Sequence, residues 1–125
     1  MRVLVVDDET DVKSLFEQRF RKEIKSGEII FAFANSGEEA LQYLNANLHH
    51  SVLILSDINM PGMSGLELLR VIKKDYENPP PFVMMITAYG DEENHTQAMS
   101  LGADDFLTKP LDFTVLKEKL KNIHE

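Results

Sequence analysis

Acids, a hydroxyl and an ammonium each close a short apolar run in this chain. Val3-Leu4-Val5-Val6 leads to Asp7-Asp8, Val52-Leu53-Ile54-Leu55 to Ser56-Asp57, Phe82-Val83-Met84-Met85-Ile86 to Thr87, and Phe106-Leu107 to Thr108-Lys109-Pro110. If these runs are neighbouring strands of one parallel sheet, three carboxylates, a hydroxyl and an ammonium converge at the edge where ligands of open α/β sheets bind. Two carboxylates about 4 Å apart repel by ~4 kcal/mol at an effective dielectric near 20, and a divalent cation relieves that repulsion. Oxygen donors without Cys or His nearby in sequence favour Mg²⁺ over Zn²⁺. The Lys109 ammonium can hold such a cluster together and pair with a phosphoryl group, and the Thr87 hydroxyl can donate to a phosphoryl oxygen. Singly, each residue has a plainer role: Asp is common in turns after strands, lysines are mostly solvated, and strand threonines bond to backbone. Their order and α/β spacing make the combination more specific than any member.

The elements that must position these groups alternate between strand-like runs and segments of helical period, the pattern of a doubly wound α/β domain. A strand at about residues 2 to 7 is followed by a helix from about 11 to 25, in which Val12, Leu15, Phe16, Phe20 and Ile24 recur at spacings of three and four. Residues 28 to 34 form the second strand. Ser36-Gly37-Glu38-Glu39 then has the Ser-x-x-Glu form of a capping box and opens a helix carrying Ala40, Leu41 and Leu44, with a polar loop from 45 to 50. The third strand ends at Asp57, and a loop shaped by Pro61, Gly62 and Gly65 precedes Leu66, Leu68, Leu69 and Ile72 of the third helix. Asn78-Pro79-Pro80-Pro81 separates that helix from the fourth strand. Asp91 caps a fourth helix running to Leu101, and Gly102 suits its left-handed end. After a short fifth strand at about 105 to 107, Asp112 caps a last helix carrying Phe113, Leu116, Leu120 and Ile123. There is no internal repeat or linker, so residues 1–125 read as one domain.

The net charge of −8, from 21 acids against 13 bases, opposes the electrostatic attachment behind most non-specific nucleic-acid affinity, so direct nucleic-acid binding is not expected. No apolar stretch approaches the ~20 residues of a membrane span, and Met1-Arg2 leads directly into a strand without the features of a signal peptide. A soluble, cytoplasmic protein without a membrane association is the expectation. With no Cys there is no disulfide to form.

The chain resembles the receiver domains of two-component response regulators over essentially its whole length. The resemblance is carried by Val-Val-Asp-Asp-Glu at 5 to 9, Asp-Ile-Asn-Met-Pro-Gly-Met-Ser-Gly at 57 to 65, Thr-Ala at 87 to 88, and Gly-Ala-Asp-Asp-Phe-Leu-Thr-Lys-Pro at 102 to 110. It implies a flavodoxin-like (CheY-like) three-layer sandwich with a five-stranded parallel sheet in the order 2-1-3-4-5. It implies that Asp57 is the phosphoacceptor, attacking a phosphohistidine or a small acyl phosphate, and that the chain catalyses only its own phosphorylation and dephosphorylation. Asp8, Asp57 and the backbone carbonyl of Asn59 would coordinate Mg²⁺, with Asp7 acting through metal-bound water. Lys109 would neutralise phosphoryl charge, while Thr87 and backbone N–H groups near Asn59 and Ala88 would bind the remaining oxygens. Thr87 would then move toward the phosphoryl group and Phe106 turn inward, reshaping the surface of the fourth helix, fifth strand and fifth helix. Asn59 and Tyr89 would flank the path of the attacking water and tune the lifetime of the phosphorylated state. Lys109-Pro110 matches a cis peptide. The implied partners are a sensor histidine kinase or phosphotransfer protein and a downstream effector domain or protein, with the chain a monomer or a phosphorylation-dependent homodimer.

The chemistry agrees with that resemblance. An Asp with an ordinary pKa of ~3.9 is already ionised at neutral pH, so Asp57 needs no general base, and phosphoryl transfer depends on alignment and charge stabilisation. A nucleotide or flavin binder of similar topology would place a Gly-rich phosphate loop where this chain has Asp7-Asp8-Glu9. A phosphatase with an Asp nucleophile would carry an Asp-x-Asp pattern there. A phosphorylation-independent docking module of the receiver type would typically have lost an acid, the Thr or the Lys. His49-His50 reads as exposed loop rather than a metal site, and Met60, Met63, Met84 and Met85 as loop packing and sheet core. The weak apolar periodicity of residues 91 to 101 predicts a helix with a largely exposed surface.

Overall fold

The computed structural model describes residues 1–48, 50–76, 80–88 and 90–123. Its elements are β1 (Arg2–Val6), α1 (Val12–Arg19), α2 (Arg21–Ser26), β2 (Ile30–Ala34), α3 (Gly37–Ala46), β3 (Val52–Asp57), α4 (Gly65–Asp75), β4 (Phe82–Thr87), α5 (Glu92–Ser100), β5 (Asp105–Thr108) and α6 (Phe113–Ile123). The five strands are all parallel and ordered β2-β1-β3-β4-β5. The order reverses between β1 and β3, so their carboxyl ends flank the crevice of a doubly wound sheet.

Alternation along each strand feeds two cores, because successive side chains point to opposite faces. Leu4, Val6, Ile54, Val83 and Met85 pack with Ala40 and Leu44 of α3, Leu68, Leu69 and Ile72 of α4, and Ala98 of α5. Val3, Val5, Leu53, Leu55, Met84 and Ile86 pack on the other face with Phe16 of α1, Phe20, and Leu116 and Leu120 of α6. All six residues of β3 are buried, as expected for a central parallel strand covered by helices on both sides. Met84 and Met85 are fully buried on opposite faces and Met60 is buried in the loop after β3, consistent with their reading as packing residues.

The single first helix expected over residues 11 to 25 is two helices, so the helices expected fourth and fifth are α5 and α6. The break falls at Phe20, whose backbone leaves the helical region at φ −108° and ψ 26°. Hydrogen bonding runs through it, with Phe20 N–H donating to Phe16 O and Ile24 N–H to Phe20 O, both at 2.9 Å. Phe20 is completely buried, stacked on Phe16 and edge-on to Phe31. Apolar periodicity registers which face is inward, and it cannot register a one-residue bend that seats an aromatic ring. The second strand begins at Ile30 rather than 28 because Gly27, at φ +82°, ends α2 and the chain spends Glu28 and Ile29 on the turn. The helix α3 reaches Ala46, two residues into the stretch expected as loop.

Helix starts follow the local signals. Ser36 accepts from the Glu39 N–H at 3.1 Å, while the Glu39 carboxylate takes the N–H of Asn35 rather than closing a box on Ser36. A reciprocal capping box does form at Ser64 and Glu67, with both bonds at 3.2 Å, in a Ser-x-x-Glu sequence masked by the Pro and Gly of that loop. Asp91 accepts from Asn94 N–H, and Asp112 from Thr114 and Val115 N–H. Gly102 has φ +98°. Of α5 only Ala98 is buried, which fits the weak periodicity of that segment.

Gly65 fixes how closely α4 approaches β3. Its N–H donates to Ile58 O at 2.7 Å, and a Cβ there would collide with the Asp57 carbonyl oxygen and lie 2.7 Å from Ile58 Cα. Backbone meets backbone, so no side chain can swing away to make room. Gly65→Ala is therefore expected to destabilise the fold by about 1–3 kcal/mol in urea unfolding, and a value within about 0.5 kcal/mol of the parent would show that the 57–65 loop relaxes freely.

Candidate functional site

The carboxyl ends of β1, β3 and β5 carry the charged groups. Asp7 follows β1, and its N–H donates to Ala34 O at 3.0 Å, continuing the sheet to the site. Asp57 is the last residue of β3, held beneath by Ile58 N–H donating to Ile86 O at 3.3 Å. Thr87 is the last residue of β4, and the Lys109 N–H donates to Thr87 O at 2.9 Å, which brings the chain after β5 into line. The Lys109–Pro110 peptide is cis.

Asp7, Asp8 and Asp57 each offer a carboxylate oxygen within 4.8 Å of the other two. Asp7 and Asp57 are buried and Asp8 is exposed, so the cluster is open to solvent on one side. Lys109 Nζ donates to Asp57 Oδ2 at 2.7 Å, with the Asp57 side chain 7% exposed and that of Lys109 40%. The other Asp57 oxygen accepts from the Asn59 N–H at 3.4 Å. Asp7 Oδ1 accepts from the Glu9 N–H at 2.9 Å, a restraint that residue types do not reveal because any residue but proline at position 9 can supply a backbone donor.

The electrostatics follow from this crowding. Burial raises the Asp7 carboxyl above its ordinary 3.8, the Glu9 N–H opposes that shift, and the charge of Asp57 adds to it. Partial burial works to lower the Lys109 ammonium. The hydrogen bond and charge of Asp57, with Asp7 and Glu9 behind them, outweigh burial and hold it above the usual lysine value. An Asp7 raised chiefly by burial and further by a neighbouring carboxylate sits where an added cation would be favoured. The donor set is all oxygen, which fits a hard divalent ion held by Asp7, Asp8 and Asp57.

Other expected site residues are placed with less direct contact. Asn59 and Ala88 are exposed at the ends of β3 and β4, with Ala88 O accepting from Asp91 N–H. Thr87 is buried, and its hydroxyl donates to Leu107 O at 3.4 Å. Phe106 is half-buried on β5, with its ring against His95. Tyr89 and His49 lie outside the described residues, as do residues 77 to 79 of the segment before β4. Two contributors escaped the sequence reading: the Ser64–Glu67 box and the close approach of Gly65, which together set the loop after Asp57. Ser-Gly-x-Glu before an apolar helical run was the signal for both.

Comparison with known proteins shows the family. The family model described as response regulator receiver domain matches residues 3–121. The chain belongs to this family. It is 34% identical over 121 residues to the response regulator RppA of Synechocystis sp., covering 97% of this chain and 49% of RppA. It is 31% identical over 125 residues to the chemotaxis protein CheY of Pseudomonas aeruginosa, covering 100% of this chain and 97% of CheY. A response regulator receiver protein from Pseudomonas putida superposes with a TM-score of 0.82 at 31% identity, covering 97% and 95% of the two chains. The receiver domain described here spans about half the length of several curated relatives, RppA among them, and nearly the whole of CheY. Among its described residues, no helix is long and apolar enough to cross a membrane.

The raised Asp7 gives a signed expectation. A carboxyl whose folded pKa exceeds its unfolded value opposes folding once the pH rises past the unfolded value, and the penalty vanishes as pH falls below it. In chelator at pH 7, Asp7→Asn should therefore raise unfolding stability, by about 1 kcal/mol if the relief matches one partly screened charge contact. The gain should shrink as the pH falls toward the ordinary carboxyl range. Equal stability of the two proteins at pH 7 would mean that the carboxylate is not under electrostatic stress.

Proposed function

We propose that this receiver domain is a phosphorylation-activated switch, accepting a phosphoryl group on Asp57 from a phosphohistidine of a sensor kinase or phosphotransfer protein, or from a small acyl phosphate. The observation that carries this reading is the Asp57 carboxylate itself. It is buried, fixed on one oxygen by Lys109 at 2.7 Å, and adjacent to the Asp7 and Asp8 carboxylates.

Asp57 attacks phosphorus through a carboxylate oxygen. The new O–P bond forms as the N–P bond of phosphohistidine breaks, and the electron pair leaves on the imidazole. Lys109 moves its ammonium from neutralising the carboxylate to neutralising the phosphoryl oxygens, a displacement its half-exposed side chain permits. The backbone N–H of Asn59, already directed at Asp57, and that of Ala88, just after β4, would serve the remaining oxygens. Thr87 completes this set when its long hydrogen bond to Leu107 O is given up. Asp7, Asp8, Asp57 and the Asn59 carbonyl would hold Mg²⁺, which supplies charge neutralisation between the carboxylates and the incoming phosphoryl group. Because those acids sit within 4.8 Å of one another, an anion approaching without a cation meets like charge.

Phosphorylation then draws Thr87 toward Asp57 and allows Phe106 to turn inward, altering the face formed by α5, β5 and α6. That face is read by an effector, either another domain of a longer chain or a separate protein, or by a second copy of the domain. The net charge of −8 leaves nucleic-acid contact to such an effector.

Intact mass after incubation with acetyl phosphate tests this reading. A gain of one phosphoryl group that requires Mg²⁺ and is lost in Asp57→Asn is expected; no gain in the folded, Mg²⁺-binding parent would favour a docking module instead. Tyr89, two residues after Thr87, is proposed to crowd the path of the hydrolytic water. Tyr89→Ala should release the phosphoryl group several-fold faster, and an unchanged lifetime would remove that role.

A further inference from the structure

The output face carries an aromatic contact that the phosphorylation chemistry does not use. His95 of α5 lies on Phe106 of β5 with ring centroids 4.0 Å apart and planes at 43°. Both residues are half-buried, and Phe106, with the imidazole against its ring, rests on the core formed with α3, α4 and α5.

Helix α5 has little else to hold it. Ala98 is its one buried residue, and burial of a single methyl group secures a helix weakly compared with the three buried side chains Leu68, Leu69 and Ile72 of α4. Elements with few buried apolar contacts are those that shift or open first. The position of α5 and the rotamer of Phe106 therefore depend on each other through the imidazole.

Thr87 lies on the same face of the sheet as Phe106. Phe106 pairs in register with Met85, and residues 85 and 87 of a strand share a face. The Thr87 hydroxyl is bonded to Leu107 O, the carbonyl next to Phe106. When Thr87 leaves that carbonyl, space opens beside Phe106, and the ring can enter it only by leaving His95.

We propose that His95 is a latch, a positioning residue that holds Phe106 in its half-exposed orientation and so sets how readily the unphosphorylated domain adopts its signalling form. This rests on the reading of Phe106 and Thr87 as coupled movable parts. Removing the imidazole releases the ring, lets Thr87 move more often toward Asp57, and makes Asp57 more often ready to accept phosphate. A planar apolar ring at 95 restores the latch, because the contact depends on ring surface rather than on a proton.

The test compares the full chain with His95→Ala and His95→Phe, using Phe-ring-labelled protein and NMR, with the Phe106 signal identified by its loss in Phe106→Leu. In His95→Ala the Phe106 signal should shift, and the rate of phosphoryl uptake from acetyl phosphate with Mg²⁺ should rise about 3- to 10-fold; His95→Phe should return both toward the parent. A folded His95→Ala with an unmoved Phe106 signal overturns the latch. So does a moved signal with unchanged uptake, or uptake that rises equally in His95→Phe. If the parent takes up no phosphoryl group, the phosphoacceptor reading fails separately, and the latch stands or falls on the Phe106 signal and its recovery in His95→Phe.

Discussion

Three carboxylates crowd one sheet edge, and a single ammonium bonds the central one, Asp57. Lys109 Nζ reaches Asp57 Oδ2 at 2.7 Å from beyond β5, across the end of β4. At separations of 4.8 Å or less each pair of ionised acids repels by at least about 3.5 kcal/mol at an effective dielectric of about 20, so the acids by themselves push apart the strand ends that carry them. Asp57 is the buried member of this pair, so removing Lys109 would leave its charge uncompensated. The bridge therefore ties the end of β3 to the chain after β5. The same crowding is what a divalent cation would relieve in the proposed transfer of a phosphoryl group to Asp57.

The scaffold around this edge is rigid where the chemistry needs alignment. Every residue of β3 is buried, and α4 is fastened to it by Gly65 at backbone contact and by the Ser64–Glu67 box. Toward β5 the attachments weaken. Thr87 keeps a long bond to Leu107 O, Phe106 is half-buried, and α5 has Ala98 as its one buried residue. This contrast in packing is what the proposed switch requires, with charge placed on the tightly packed side and movement on the loosely packed side.

The positions of the acids and their bridging lysine are legible in the chain because strands of a doubly wound sheet deliver their last residues to a common edge. Asp7, Asp57, Thr87 and Lys109 each follow an apolar run, and the parallel sheet brings those runs' ends together. The helix starts at Ser36, Asp91 and Asp112 are equally legible, since capping is a local interaction between residues two or three apart. The bend at Phe20 is not, because it answers to Phe16 and Phe31 in the packed core and leaves the apolar period intact. Nor can the helical period locate α2's end, which Gly27 sets through a left-handed backbone.

By itself the sequence determined the α/β alternation, the identity of the charged groups and the family. These depend on periodicity, residue chemistry and short motifs, all carried within a few residues of each other. Only the tertiary structure decided that Lys109 grips Asp57, that Thr87 is turned to Leu107 O, and that the Phe106 ring lies against His95. Those contacts join residues far apart in the chain, Lys109 and Asp57 by 52 positions, where distance and side-chain direction are set by how strands and helices pack.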